Sequence, residues 1–467
     1  MSIKSPNQNV AAAAARTNGE LNGQIRLPPD EDGRELVVGL DEIERRRRWR
    51  RGVFVLVVFF LLAGSGMLFF FLYGSDSHMD DLEDVASDPR LQRYQTPADA
   101  ESCPDWPEGQ DKSSTISFQI PTSAGLMLFA SRGQIGGGTF HLDHADRSAP
   151  RDTISVSVTA QFDDRRELEH TKACRVENTG RNEHGLLLWA KSSLTHKVTF
   201  NVAVLLPDIQ NFGDLTTDLN NFEHGVANFF DLRRPVGFGV VRLKSSNAPM
   251  VVSALMAESG FFQTSNAQLQ AGFMGAYQVK MHTSNAPLHA IVWAFGPANG
   301  AQMDVDLRTS NSPADVFLAM ASDYNNTKMS ATVHASNGRV NVAMPRAMQP
   351  DGEVFLDVST SNAPVSVFLH PEYEGTYDLR TTVADAELLW DPDLRDPTGK
   401  GRKKTLIEES KDRTWKTGRM LWGDEQTIDG SIRVRSSVEP VKLYSNPWNF
   451  PRMDDADVFG QSVFNVG

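Results

Sequence analysis

Hydrophobic and polar residues alternate along much of the chain from residue 114 onward. Residues 114–206 contain short apolar or alternating runs, among them TISFQI and TISVSVTAQF, separated by Gly, Asn and Asp. Alternation with a period of two is typical of strands that bury one face. The pattern therefore predicts a β-rich lead-in region over residues 114–235.

A repeated motif, Ser-Asn usually followed by Ala-Pro, organises residues 236–444. Two degenerate copies carry Val383 and Val438 at the Asn place. The six asparagines of the other copies, spaced 19 to 26 residues apart, are Asn247, Asn266, Asn285, Asn311, Asn337 and Asn362. Repetition with this period predicts structural units that stack on one another.

The residues around each motif repeat as regularly as its centre. Positions four before and five after the Asn place are apolar in every copy, as Leu243 and Val252 are in the first. Each copy is therefore predicted to be a strand, a corner and a second strand. We interpret Asn at the corner through its tolerance of a left-handed backbone. The predicted fold class is all-β, a repetitive β-solenoid resembling a parallel β-helix, with a long β-sandwich as the alternative.

One uncharged run of 22 residues, from Gly52 to Tyr73, is long enough to cross a bilayer as a helix. Arginines crowd its N-terminal side, and acidic residues follow it. Because basic flanks stay on the cytosolic side, we predict a single-pass signal-anchor helix with a cytosolic N-terminus and an extracellular or luminal C-terminus. The length of the run favours the plasma membrane.

The chain is thus predicted to contain six regions. They are a disordered cytosolic tail with an Arg cluster (1–51), the transmembrane helix (52–73), an acidic Pro-containing stalk (74–113), the lead-in region (114–235), the repeat solenoid (236–444) with a basic insertion (391–430), and a C-terminal tail (445–467).

Charge and cysteine usage restrict the environment and the partners. Beyond residue 51 the chain has 36 Lys and Arg against 51 Asp and Glu, a net charge of −15. Such a surface binds nucleic acid poorly, so nucleic acid is not an expected partner. Cys103 and Cys174 are a candidate disulfide pair if this part of the chain is extracellular. Asn325, in Asn-Asn-Thr, is a candidate N-glycosylation site.

The repeat offers few residues for chemistry. We predict no catalytic residue, no cofactor and no metal site, because carboxylates are scattered among other residue types at the outward positions. Asp357 and Asp378 are nevertheless expected to be neighbours in successive copies. Three positions before the Asn place, a partly basic stripe is either a contact for anions or a solvated face. Its members are Lys244, His282, Arg308, His334, Arg380 and Arg435.

Two features of the sequence resemble the putative-adhesin family of β-solenoid proteins, especially its fungal versions. They are the lead-in VAVLLP, Val202 to Pro207, and the recurrent unit made of a strand, Thr-Ser-Asn and a second strand. The resemblance covers about residues 114–444 and implies a surface role without established catalytic residues. We therefore predict a non-enzymatic, membrane-anchored, adhesin-like surface protein whose partners are cell-wall polysaccharide or surface proteins. The alternative is a membrane-anchored carbohydrate-active enzyme of the secretory pathway.

Overall fold

The computed structural model describes residues 90–108, 112–191, 198–209, 211–230, 236–295, 302–321, 328–344, 353–397, 399–423 and 430–445, with two short strands nearer the N-terminus. The chain divides into two compact units, Met1–Leu72 and Tyr73–Gly467. In the first unit, strands β1 (Gln24–Arg26) and β2 (Val37–Gly39) pair antiparallel. They lie within the region for which the sequence predicted a disordered tail.

The second unit contains 27 strands joined in one continuous network of strand pairs. Their bounds are β3 (Ser113–Pro121), β4 (Leu126–Gly133), β5 (Gly138–His144), β6 (Thr153–Gln161), β7 (Thr171–Asn178), β8 (Glu183–Ala190), β9 (Thr199–Leu206), β10 (Asn211–Phe212), β11 (Asp214–Asp218), β12 (Phe222–Asn228), β13 (Gly237–Lys244), β14 (Met250–Gln263), β15 (Leu269–Gly275), β16 (Gln278–His282), β17 (Leu288–Phe295), β18 (Gln302–Thr309), β19 (Ala314–Ala321), β20 (Lys328–Ala335), β21 (Val340–Ala343), β22 (Glu353–Thr360), β23 (Val365–Phe368), β24 (Gly375–Arg380), β25 (Ala386–Leu389), β26 (Lys404–Lys411), β27 (Trp415–Trp422), β28 (Gly430–Ser436) and β29 (Val441–Tyr444). Short 3-10 helices span Leu91–Arg93, Pro97–Asp99, Arg165–His170 and Thr179–Arg181.

Each repeat copy forms one rung of a stack, with a strand before the Asn corner and a strand after it. Strands before the corner pair in parallel with their counterparts in the next rung, as β16 does with β18 and β18 with β20. Strands after the corner do the same, as β17 does with β19. We call these two sets the A layer and the B layer. The all-β part of the predicted fold class is confirmed.

The core lies between the A and B layers. Apolar residues four positions before and three after the Asn place are almost inaccessible in every rung, Val333 and Val340 being 0% exposed. They belong to one continuous apolar cluster that runs the length of the stack. Alternate residues of both strands point to the same core, which explains the period of two on each side of the corner.

The last two rungs are stacked in the reverse of their chain order. Strand β28, from the Val438 copy, pairs with β22 on one side and with β24, from the Val383 copy, on the other. The last copy in the sequence thus lies between the sixth and seventh. Arg433 aligns with Asp357 and with Asp378, so the two aspartates are not neighbours as expected, because a whole strand separates them.

The stack also begins earlier than the repeat motif indicates. In the A layer, the order of neighbouring parallel strands is β8, β4, β11 and β13. In the B layer, the corresponding order is β9, β5, β12 and β14. The lead-in region therefore supplies three more rungs. Antiparallel strands then cover the end of the stack. Strand β7 pairs with β8, β6 pairs with β9, and β3 pairs with β6.

The insertion at 391–430 covers the other end. Within it, β26 and β27 form an antiparallel hairpin, and β27 pairs antiparallel with β24. Buried Trp422 donates from its indole N–H to the carbonyl of Pro371 at 3.0 Å, which fastens the hairpin to the stack. The insertion is therefore a cap on the A layer.

The predicted fold class needs one correction, because it included a transmembrane helix. Within the described residues, no helix has the length and apolar character needed to cross a membrane. The stretch Gly52 to Tyr73 itself lies outside the described residues. Over the residues that the structure describes, the fold class is all-β.

Residues 90–108 fold against the stack, although the sequence placed them in a stalk. Leu91 and Tyr94 are buried on the outward side of the A layer, against Leu128 and Val176. Arg93 adds an ion pair of 3.2 Å with Glu183. An apolar patch on β4, β7 and β8 is thereby covered.

Candidate functional site: the asparagine corner and the charged face

The corner asparagines form a continuous ladder of side-chain hydrogen bonds along the stack. In each step the amide N–H of one asparagine donates to the amide oxygen of the asparagine in the preceding rung. The N–O distances are 2.6 Å for Asn247 to Asn221 and 2.7 Å for Asn266 to Asn247, Asn285 to Asn266, Asn311 to Asn285, Asn337 to Asn311 and Asn362 to Asn337. We call these seven exposed residues the asparagine ladder.

The other residues of the motif hold the corners in register. The carbonyl of Ser284 accepts the backbone N–H groups of both Ser310 and Asn311 in the next rung. The hydroxyl of Thr309 donates to the carbonyl of Ala286 at 3.3 Å. Equivalent bonds recur in other rungs. Thr, Ser and Asn each satisfy a backbone or side-chain group of the neighbouring rung, which explains why the three recur together.

The backbone of these corners corrects our interpretation of asparagine. Among the described residues, only Asn182 and Asn221 have a positive φ without being glycine. The other six ladder residues therefore do not adopt a left-handed backbone. Asparagine recurs because its amide both donates and accepts, and can pair with a copy of itself in the next rung.

Asn221 is a ladder residue that the sequence reasoning missed. The positions that are apolar in other copies are here Thr217 and His224, both buried. Their side chains bond each other at 2.9 Å, and His224 also contacts the carbonyl of Phe222 at 3.0 Å. Burial lowers the pKa of His224 to about 4. Because these two positions are polar, the apolar pattern does not identify this copy of the repeat. The 26-residue spacing between Asn221 and Asn247 would have identified it.

Both ends of the ladder are defined by a change of residue at the corner. Next to Asn221 the neighbouring rung turns through Gly137, where a Cβ would lie 2.5 Å from the carbonyl oxygen of Asn221. At the opposite end the rung beside Asn362 carries Val438, which is 44% exposed, and the next carries Val383, 65% exposed. Valine offers no hydrogen bond, so the ladder stops at Asn362.

The basic stripe of the sequence prediction lies on the outward side of the A layer. Among the described contacts, five of its six members approach a carboxylate. The N–O distances are 3.2 Å for Lys244–Asp218, 3.6 Å for His282–Asp306, 2.6 Å for Arg308–Asp306, 2.9 Å for Arg380–Asp378 and 2.6 Å for Arg435–Asp357. The sixth, His334, contacts the hydroxyl of Ser359 at 3.0 Å. These contacts favour the interpretation of the stripe as a balanced, solvated face.

The protonation equilibria agree with this charge balance. Partial burial raises the pKa of Asp306, but the nearby His282 and a hydrogen bond from Arg308 outweigh it and hold that pKa below its usual value. Burial lowers the pKa of His334, and the nearby Arg308 lowers it further. Asp306 is thus ionised, and His334 is neutral, at physiological pH.

The same face shows what the arrangement can do chemically. Arg435 and Arg433 lie in the strand between Asp357 and Asp378, so the two carboxylates do not converge on one point. In the part of the chain that the structure describes, no group of three or more His, Cys, Asp or Glu side chains is placed to hold a metal ion. The described contacts of this face are ion pairs within and between neighbouring strands.

Cys103 and Cys174 are joined by a disulfide. It ties the segment 90–108 to β7, beside backbone bonds between Ser102 and Arg175. The candidate glycosylation site, Asn325, lies outside the described residues.

Comparison with known proteins adds two solved structures. No family model and no curated protein matches the chain. A "putative cell adhesion protein" from Clostridium sporogenes is 7% identical, with a TM-score of 0.15, over 71% of this chain and 99% of the other. A "putative adhesin" from Bacteroides fragilis is 10% identical, with a TM-score of 0.23, over 72% and 98%. At these TM-scores the likeness carries no argument for function.

Proposed function

We propose that the chain is a non-enzymatic, adhesin-like surface protein whose asparagine ladder contacts a neutral wall polysaccharide. The observation that carries the proposal is the ladder itself. Each step uses one amide N–H and one oxygen lone pair, and an amide has two of each. The remaining donor and acceptor of these exposed residues are available to a ligand.

The spacing and the charge of the ladder suit a hydroxylated polymer. Parallel strands repeat about every 4.8 Å, so the ladder presents the same neutral amide at that interval over seven rungs. Sugar hydroxyls both donate and accept, as amides do. A neutral polysaccharide also avoids repulsion by the acidic chain, whose basic residues on the A layer already pair with aspartates.

The disulfide supports a location outside the cytosol. Disulfides persist in oxidising compartments and are rare in the cytosol. The bond between Cys103 and Cys174 fastens the segment 90–108 to the stack. A protein that displays a rigid stack at a surface needs such reinforcement, because its end strands are otherwise the first to open.

Binding to insoluble β-glucan particles tests the proposal. Replacing Asn266, Asn285 and Asn311 by Ala should weaken the binding by more than about tenfold, since each lost bond costs about 0.5–1.5 kcal/mol. The matched control replaces Arg308, Arg380 and Arg435 by Gln, which should leave the binding to β-glucan unchanged. Circular dichroism verifies that both triple variants are folded at the assay temperature.

The opposite pattern would overturn the proposal. If the arginine variant loses binding and the asparagine variant keeps it, the stripe on the A layer is the contact surface. Polygalacturonate, a polyanion, serves as the second probe, and the unchanged protein should bind it more weakly than β-glucan. If both variants bind β-glucan as well as the unchanged protein does, neither the ladder nor the stripe is the contact surface.

A further inference from the structure

Among the described strands of the second unit, five pair with only one other strand, and four of these five are protected against pairing with another chain. Strand β7 is covered by Ser102, which exchanges backbone bonds with Arg175. Strand β26 carries two Lys and two Glu, and its register shifts between Glu408 and Ser410. Strand β25 has only four residues, one of them Glu387, and strand β10 has only two. Coverage, charge, irregularity and short length are the usual protections of an edge strand.

The fifth of these edge strands, β3, has none of these protections. Its nine residues, SSTISFQIP, contain no charge, and its pairing with β6 shows no register shift. Among the described strands it pairs with β6 alone. Its alternate residues Ile116 and Phe118 are only 8% and 9% exposed, so the strand is held flat on the core. Such an edge is a template for another strand.

The backbone bonds beside β3 identify which of its groups face outward. Just before the start of β3, the N–H of Phe162 donates to the carbonyl of Lys112 at 3.1 Å. Just after the end of β3, the N–H of Thr122 donates to the carbonyl of Asp152 at 3.0 Å. In an antiparallel pair the residues that bond one neighbour alternate with those that face away from it. Even-numbered residues of β3 therefore bond β6.

The odd-numbered residues consequently direct their N–H and C=O groups to the open edge. Between Ser113 and Pro121, which end the strand, these are Thr115, Ser117 and Gln119, whose side chains are also exposed. The three are small or neutral and lie symmetrically about Ser117. If a second β3 approaches antiparallel with Ser117 opposite itself, Thr115 faces Gln119 of the other copy, and no like charges meet.

We propose that the chain forms a two-fold symmetric dimer through antiparallel pairing of β3 with β3 of a second copy, centred on Ser117. Three hydrogen-bonded residue pairs would supply about six new backbone bonds. On the core side Ile116 packs beside Phe118 of the second copy. The two stacks become one continuous B layer, and the surface proposed above is presented twice. The dimer does not depend on what that surface binds.

Charge at the symmetry point provides a specific test. In the full-length chain, Ser117→Lys places two lysines against each other across the dyad, and Ser117→Glu places two glutamates. Each variant should weaken the dimer by at least about tenfold, and an equimolar mixture of the two should restore it. The measurement is the mass by sedimentation over a concentration series, where the unchanged chain should approach about twice its monomer mass.

A matched control and a backbone variant complete the experiment. Ser157→Lys alters the residue opposite Ser117 on β6, whose backbone is paired on both sides, and should leave the dimer intact. Ser117→Pro removes a donor from the open edge only, and should give a folded monomer. A monomer at every concentration for the unchanged chain, or a mixture of the Lys and Glu variants that stays monomeric, would overturn the proposal.

Discussion

Removing one asparagine from the middle of the ladder tests whether the ladder stabilises the stack. Asn311 donates to Asn285 and accepts from Asn337, both at 2.7 Å, so Asn311→Ala breaks two bonds. Asn362→Ala breaks one, because the next rung carries valine. Val438→Ala, at the equivalent corner position, breaks none and is the matched control.

The expected magnitudes follow from the number of bonds. A neutral hydrogen bond contributes about 0.5–1.5 kcal/mol net, and exposure to water places these bonds at the lower end. Asn311→Ala should therefore lower the free energy of unfolding by about 1–2 kcal/mol, and Asn362→Ala by about half of that. Neither corner has a positive φ, so alanine adopts both backbones without strain and no further cost is expected.

Urea unfolding, followed by circular dichroism, measures these differences. Asn285 and Asn311 share one bond, so the double Ala variant breaks three bonds, whereas the two single variants break four in total. The double variant should consequently lose about 0.5–1 kcal/mol less than the sum of the single losses. Additive losses for this pair, or equal losses for Asn311→Ala and Val438→Ala, would refute the stabilising role of the ladder.

Val438→Asn should extend the ladder by donating to Asn362, and should raise the free energy of unfolding in urea by about 0.5–1 kcal/mol; a decrease would contradict this. Burial holds the pKa of His224 at about 4, so the unfolded chain binds a proton first as the pH falls. The free energy of unfolding should therefore drop by up to about 3 kcal/mol between pH 6.5 and 4, and His224→Gln should remove that slope. Reduction of the disulfide between Cys103 and Cys174, 71 residues apart, should cost about 4 kcal/mol in the same assay, and a Cys103→Ser variant should lose as much without reductant.

The strands and corners of the repeat could be predicted because each copy follows simple geometry. Apolar residues at fixed positions before and after the corner, such as Leu307 and Val316, point to one core whichever rungs are neighbours. The reason for asparagine could not be predicted from one copy. A ladder exists only when two copies are adjacent, whereas the left-handed interpretation considered each corner alone.

The rung order was hidden for a different reason. Val434 of β28 and Leu379 of β24 are both fully buried at the same position of their rungs. Either rung could therefore follow β22 without changing the apolar pattern. The order is decided by chain connection, since β24 is followed by the hairpin of β26 and β27, which pairs with its outer edge. The basic composition of that insertion gave no indication of this pairing.

The change from asparagine to valine coincides with the change in rung order. From Asn221 to Asn362 each rung follows its predecessor in the chain, and every corner bonds the one before it. Beyond Asn362, the first corner without asparagine is Val438, and it belongs to the first rung at that end of the stack that is out of chain order. Its neighbour Val383 lies in the rung that pairs with the cap. The ladder thus marks the part of the stack in which sequence neighbours are also spatial neighbours, and that is the part over which a regularly spaced ligand would meet an unbroken row of identical amides.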